Sequence, residues 1–228
     1  MYYFDWIHQG DIREQAGGEQ DVDDHWESSM ADAIDILIEE HRLIQRVLDS
    51  LESFAESVDE ERASDRSTLG EFAEFFRQYV DECHHGKEEG YLFVRMNTYG
   101  FSNEAGPISA MLSEQGEGRE HLSALAEIAQ GSGPLTAREC ALVKGHALGY
   151  IMRIQHHMKR EDDILFPVAR HSLPVFVLQE LRDAFEDFDR NVLTLAVRDK
   201  LVRSAQELST RYPPGQSRPV PPSSEAAG

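Results

Sequence analysis

Between about residue 30 and residue 170 the apolar side chains recur at three- and four-residue intervals, and no stretch of useful length alternates with period two. That spacing predicts helices, and four long segments stand out at about 30–58, 67–98, 107–130 and 136–170. Pro107 suits the first turn of the third, Gly131-Ser132-Gly133-Pro134 ends it, and Thr136 can cap the fourth. Short connections between long helices make antiparallel neighbours, so the expected architecture is all-α, an up-down four-helix bundle. A further amphipathic stretch from about Pro174 to Tyr212 is expected as an additional C-terminal helix against its outside. The expected domain organisation is a flexible acidic segment at 1–29, the bundle at 30–170, a helical extension at 171–212 and a disordered tail at 213–228.

The apolar stripes are broken by polar residues in telling places. In the first helix His41 stands in the stripe Ile34, Leu37, Ile44, Leu48, Leu51, where an imidazole needs a partner. In the second, an ideal helical wheel puts His84 with Leu69, Ala73, Phe76 and Val80, pointing inward, and its neighbour His85 with Glu74, Gln78 and Asp81, pointing to water. In the fourth, His157 lines up with Val143, Tyr150 and Ile154, while His156 joins Arg160 and Asp163 outside. Both inward histidines are followed four residues later by a glutamate, Glu88 and Glu161, so each pair offers an imidazole and a carboxylate from one helix face. The ten-residue runs beginning at His84 and His157 read as two copies of one design, which a pseudo-symmetric two-metal site requires.

Burying two carboxylates without a compensating cation costs several kcal/mol each, and a bound metal supplies that cation. Thiolate is not on offer, since the two cysteines, Cys83 and Cys140, form no Cys-x-x-Cys pair. Imidazole with carboxylate suits iron, manganese or zinc. Five or six ligands around a carboxylate pair favour a binuclear redox metal over structural zinc, which closes with four. The third helix offers Gln115 near the centre of its inner face and His121 at the edge. Gln115 precedes His157 by 42 positions, against 43 between His41 and His84, and so is the positional equivalent of His41. An amide is a poor ligand, so Gln115 leaves that corner weakly coordinated or open to a hydrogen-bonded guest, with His121 and Glu117 as alternative ligands.

Composition narrows the remaining possibilities. The 228 residues carry 42 acidic side chains against 22 Lys and Arg, for a formal net charge of -20. Such a field repels phosphate backbones and anionic lipid, which argues against nucleic acid and membrane surfaces as partners and leaves any protein partner unidentified. The N-terminus lacks a basic segment followed by an apolar run, and no stretch reaches the ~20 apolar residues of a membrane span, so a cytoplasmic protein is expected. No nucleophile–base pair or phosphate loop suggests hydrolysis or phosphoryl transfer, and enzyme status stays open.

Glu40-His41, Cys83-His84-His85-Gly86-Lys87-Glu88-Glu89, the run from Gly106-Pro107 to Gly118-Arg119, and His157-Met158-Lys159-Arg160-Glu161-Asp162 together resemble the hemerythrin HHE cation-binding family over about 31–170. The resemblance implies a four-helix bundle around two iron ions joined by an oxo or hydroxo bridge. The implied ligands are His41, His84, Glu88, His157 and Glu161, with Glu88 and Glu161 bridging. Where the related pattern reads Glu-His-x-x-Gly-Arg, this chain reads Glu114-Gln115-Gly116-Glu117-Gly118-Arg119. The function so implied is to bind, sense or detoxify dioxygen or another small oxidant. Two alternatives are an iron-handling or iron–sulfur repair and nitric-oxide response role, and a metal-stabilised interaction module.

Overall fold

The computed structural model describes residues 31–59, 65–192 and 195–215, all of whose regular structure is helical. The acidic segment at 1–29 and nearly all of the tail lie outside the described residues. Helix α1 spans Ala33–Ser57; α2 runs over 65–98; α3 spans Pro107–Ala129; α4 runs over 137–172; α5 spans Val175–Val192 and α6 Leu195–Arg211. The first four form the expected bundle, with α1 and α3 each packed on both α2 and α4. The expected C-terminal helical extension is described over α5 and α6. Both lie on the outside of the bundle, with α5 against α1 and the later part of α2, and α6 against α1 and the start of α2.

Capping residues set where the bundle helices begin. The Asp32 carboxylate accepts from the backbone N–H groups of Ile34 and Asp35, and the Asp35 side chain returns a bond to the Asp32 N–H. Thr136 and Glu139 form the same reciprocal box ahead of α4, and Pro107 takes the first turn of α3, as the sequence implies. Arg66, at the start of α2, fastens the α3–α4 turn by donating to the carbonyls of Gly133 and Pro134 and to the Glu139 carboxylate.

Two apolar clusters fill the bundle, and a polar layer separates them. One cluster gathers Leu48, Leu51, Phe54, Phe72, Phe76, Leu125, Val143 and Tyr150 and is closed by Leu201 and Leu208 of α6. The other gathers Ile34, Leu37, Phe93, Met96, Ile108, Met111, Leu165 and Phe166 and is closed by Leu181 and Phe185 of α5. Each such side chain contributes about 1.5–3 kcal/mol on burial, so the clusters supply the stability that a buried polar layer does not. That layer consists of His41, His84, His85, Glu88, Gln115, His157 and Glu161, all buried.

Candidate metal centre

Four helices contribute to the layer at one height of the bundle. Ligand atoms of His41 (α1), His84 and Glu88 (α2) and Glu161 (α4) all lie within 4.8 Å of one another, and so do those of His85, Glu88 and His157. This is close to the span of a coordination shell, two bonds of about 2.0–2.3 Å end to end. Glu88 belongs to both groups. Glu161 also faces both ways: its Oε1 is 3.2 Å from His157 Nε2 and its Oε2 is 3.4 Å from His41 Nε2. His41 Nε2 and His84 Nε2 approach to 3.1 Å, so two imidazole nitrogens converge on one point.

His85 is the residue that the helical wheel misplaced. It is buried, not turned to water, and its ring lies 5.4 Å from that of His157. The cause is local: residues Phe76–His85 form a π-helix, whose bonds run from i to i+5, so each turn takes in an extra residue and a wheel drawn for 3.6 residues loses its phase. Consecutive residues then face inward together. Two more π turns, Glu88–Leu92 and Glu161–Leu165, begin at the two inward glutamates, so the repeated motif is a repeat of backbone distortion as well as of sequence.

Each of the four histidines has its second ring nitrogen near a carboxylate, hydrogen-bonded to it in His41, His84 and His85. His41 Nδ1 lies 2.9 Å from Asp162, His84 Nδ1 2.9 Å from Glu40, His85 Nδ1 3.5 Å from Asp81 and His157 Nδ1 3.4 Å from Glu114. A carboxylate at Nδ1 fixes the tautomer with its lone pair on Nε2 and makes that nitrogen a better donor to a metal. These carboxylates were not identified as partners in the sequence, because each comes from a different helix or turn than its histidine or, for Asp81, was assigned to the solvent face. The arrangement has a pseudo-twofold character. Glu40 precedes His41 and serves His84, just as Glu114 precedes Gln115 and serves His157.

Gln115 occupies the place in this symmetry that His41 occupies on the other side. It is fully buried, and its Nε2 donates to Glu88 Oε2 at 2.8 Å. That bond orients a carboxylate shared by both ligand groups. His121 lies apart from the layer, its Nδ1 3.2 Å from His146 Nδ1, and Glu117 pairs with Arg153 near the surface.

The electrostatics call for cations. Burial, reinforced by the negative charge of Glu161, pushes the Glu88 carboxyl well above the usual carboxylate range. Burial also acts against Glu161, but His157, His41 and His84 outweigh it and hold that group low. His41 is likewise desolvated, yet Asp162 and Glu161 raise it to about 9. Nε2 of His85 and of His157, Oε1 of Glu88 and both oxygens of Glu161 are buried with no hydrogen-bond partner among the described residues. Buried polar atoms are nearly always satisfied. A cluster of five such atoms, all nitrogen or carboxylate oxygen and all convergent, fits bound metal.

An up-down bundle carrying a histidine–carboxylate layer of this kind defines the class of helical metal-binding domains. The sequence matches the hemerythrin HHE cation binding domain over residues 32–169, and the chain belongs to that family. Uncharacterized proteins of Mycobacterium tuberculosis and Mycobacterium bovis are 25% identical to it over 154 residues, covering 66% of this chain and 58% of each relative. No solved structure matches the chain. Among the described residues no helix is long and apolar enough to cross a membrane.

Proposed function

We propose that this protein holds two iron ions in the polar layer and uses them to bind, sense or detoxify dioxygen or a related small oxidant. One ion would be held by His41 and His84, the other by His85 and His157, with Glu88 and Glu161 shared between them. The single observation that carries this reading is the convergence of partnerless ligand atoms from two helices, α2 and α4, between two apolar clusters. Zinc is the less favoured occupant, because a shared pair of carboxylates with four imidazoles exceeds what a closed four-coordinate zinc site uses.

Ferrous iron, when bound, would supply electrons and Lewis acidity toward a small oxidant. The chain's own residues do the rest. Asp162, Glu40 and Asp81, hydrogen-bonded to Nδ1 of His41, His84 and His85, keep those imidazoles in one tautomer, Gln115 restrains Glu88, and Phe166, stacked on His41 at 5.4 Å, helps to exclude bulk water. A groove of about 660 Å³ between α1 and α4 is lined by His41, Asp162 and Met158, so small solutes can approach the layer from that side. The test is spectroscopic. Reduced, iron-loaded protein exposed to air or peroxide should develop ligand-to-metal charge-transfer absorption; retention of iron with no spectral response to either oxidant would remove the oxidant-binding reading.

A further inference from the structure

Helix α5 lies beyond the part of the chain that matches the family, yet it reaches toward the polar layer through a chain of charged contacts. His84 Nδ1 meets Glu40 Oε2 at 2.9 Å, the other oxygen of Glu40 accepts from Lys87 Nζ, and Lys87 donates in turn to both oxygens of Asp189, at 3.0 and 3.3 Å. Lys87 and Glu40 are buried, and the side chain of Asp189 is 13% exposed. Cys83 Sγ donates to the same Asp189 carboxylate at 3.4 Å, so the residue preceding His84 is tied to α5 as well. Packing seals the contact: a Cβ added to Gly86 would sit 3.0 Å from Phe188 Cζ. Glu40, Cys83 and Asp189 would themselves be a cation site by their spacing, but the Lys87 ammonium already stands among them.

We propose that Asp189 is a positioning residue for the metal centre, acting through Lys87 and Glu40 on the His84 imidazole, so that the docking of α5 and the state of the metals are coupled. This rests on the reading that the layer binds iron. Lys87 is shared between two carboxylates, and the share it gives to Asp189 is charge it does not draw from Glu40. Glu40 therefore keeps its negative charge available to the His84 N–H, which strengthens His84 as a donor and favours the oxidised metal. Neutralising Asp189 turns the whole ammonium onto Glu40, weakens that donor and also removes a negative charge from the neighbourhood. Both changes act in the same direction.

The experiment compares full-length, iron-loaded wild type with Asp189→Asn and with Asp187→Asn, which deletes the same charge two residues away, where the carboxylate pairs with Arg190 at the surface. Iron per chain is measured first, then the midpoint potential by spectroelectrochemical titration. Asp189→Asn should retain its iron and show a raised potential, whereas Asp187→Asn should match wild type. Equal shifts in the two variants would mean unspecific surface charge and overturn the relay, as would no shift in either. Should Asp189→Asn fail to fold, hydrogen exchange on the wild type decides: iron loading should slow exchange at 83–89 and 185–191 together, and protection confined to 83–89 would overturn the coupling. Wild type that takes up no iron would instead defeat the reading of the layer itself, a result separable from a loaded protein with an unshifted Asp189→Asn.

Discussion

Replacing Glu88 by Gln should make the metal-free protein more stable and the iron-loaded protein less so. Glu88 is fully buried, Glu161 repels it, and its carboxyl is held well above the usual range. A group whose folded-state affinity for protons exceeds its unfolded one opposes folding at any pH above its ordinary titration, near 4.5, and ceases to do so below it. Glutamine has the same shape, cannot ionise, and still presents a carbonyl oxygen to the Gln115 Nε2 that now bonds Glu88 Oε2 at 2.8 Å. Replacing buried ionisable groups by well-packed neutral ones of similar volume is often stabilising, by about 1–4 kcal/mol. With chelator present at pH 7, the urea midpoint should therefore rise, by about 1 M for each ~2–3 kcal/mol. Iron should reverse the order. A ligand present at 100 times its dissociation constant stabilises by about 2.7 kcal/mol, and the variant forfeits this because it lacks a carboxylate shared by both ion positions. Circular dichroism in urea, with and without ferrous iron under anaerobic conditions, gives all four numbers. A metal-free variant that is less stable than wild type, or one that iron stabilises as much, would refute the reasoning.

Three further outcomes are expected. His85→Ala should lower bound iron from about two ions per chain toward one, read by elemental analysis, while His121→Ala, whose ring pairs with His146 away from the layer, should leave it unchanged. Gln115→His should tighten iron binding in a chelator competition and alter the absorption spectrum, since the new imidazole would take the place symmetrical to His41; unchanged affinity and spectrum would show that residue 115 does not face the metals. Glu139 is held down to about 2 by the Thr136 backbone N–H and hydroxyl and by Arg66, so its contribution to stability is complete above pH ~4.5 and is lost as pH falls toward 2. The melting temperature of Glu139→Gln should accordingly lie below that of wild type at neutral pH and converge with it in acid, and a constant gap across the range would contradict this role.

The helices were legible because burial of an apolar face imposes a period that residue type alone reveals, and the caps at Thr136 and Pro107 depend on neighbours within one turn. Of the expected site residues, His41, His84, Glu88, His157, Glu161 and Gln115 all come together in one layer. Gln115 enters it by a hydrogen bond to Glu88. His85 was assigned to solvent because its inward aim depends on π turns, and a pattern computed at 100° per residue has no access to a change of helical pitch. The doubled histidine ahead of a buried glutamate was the available signal, and its weight becomes clear only once α2 is seen to open. Asp81 is placed on the solvent face by the helical wheel, and Asp162 and Glu114 carry no role in the sequence, because what distinguishes all three is the imidazole that each meets after the helices assemble.

The central claim is that four imidazoles and two shared carboxylates make one binuclear iron site. Elemental analysis of the full-length protein, produced in iron-replete medium and recorded with its absorption spectrum, tests it most directly. Two irons per chain with a near-ultraviolet charge-transfer band is the predicted result; a chain that carries a single ion, or none, would contradict it.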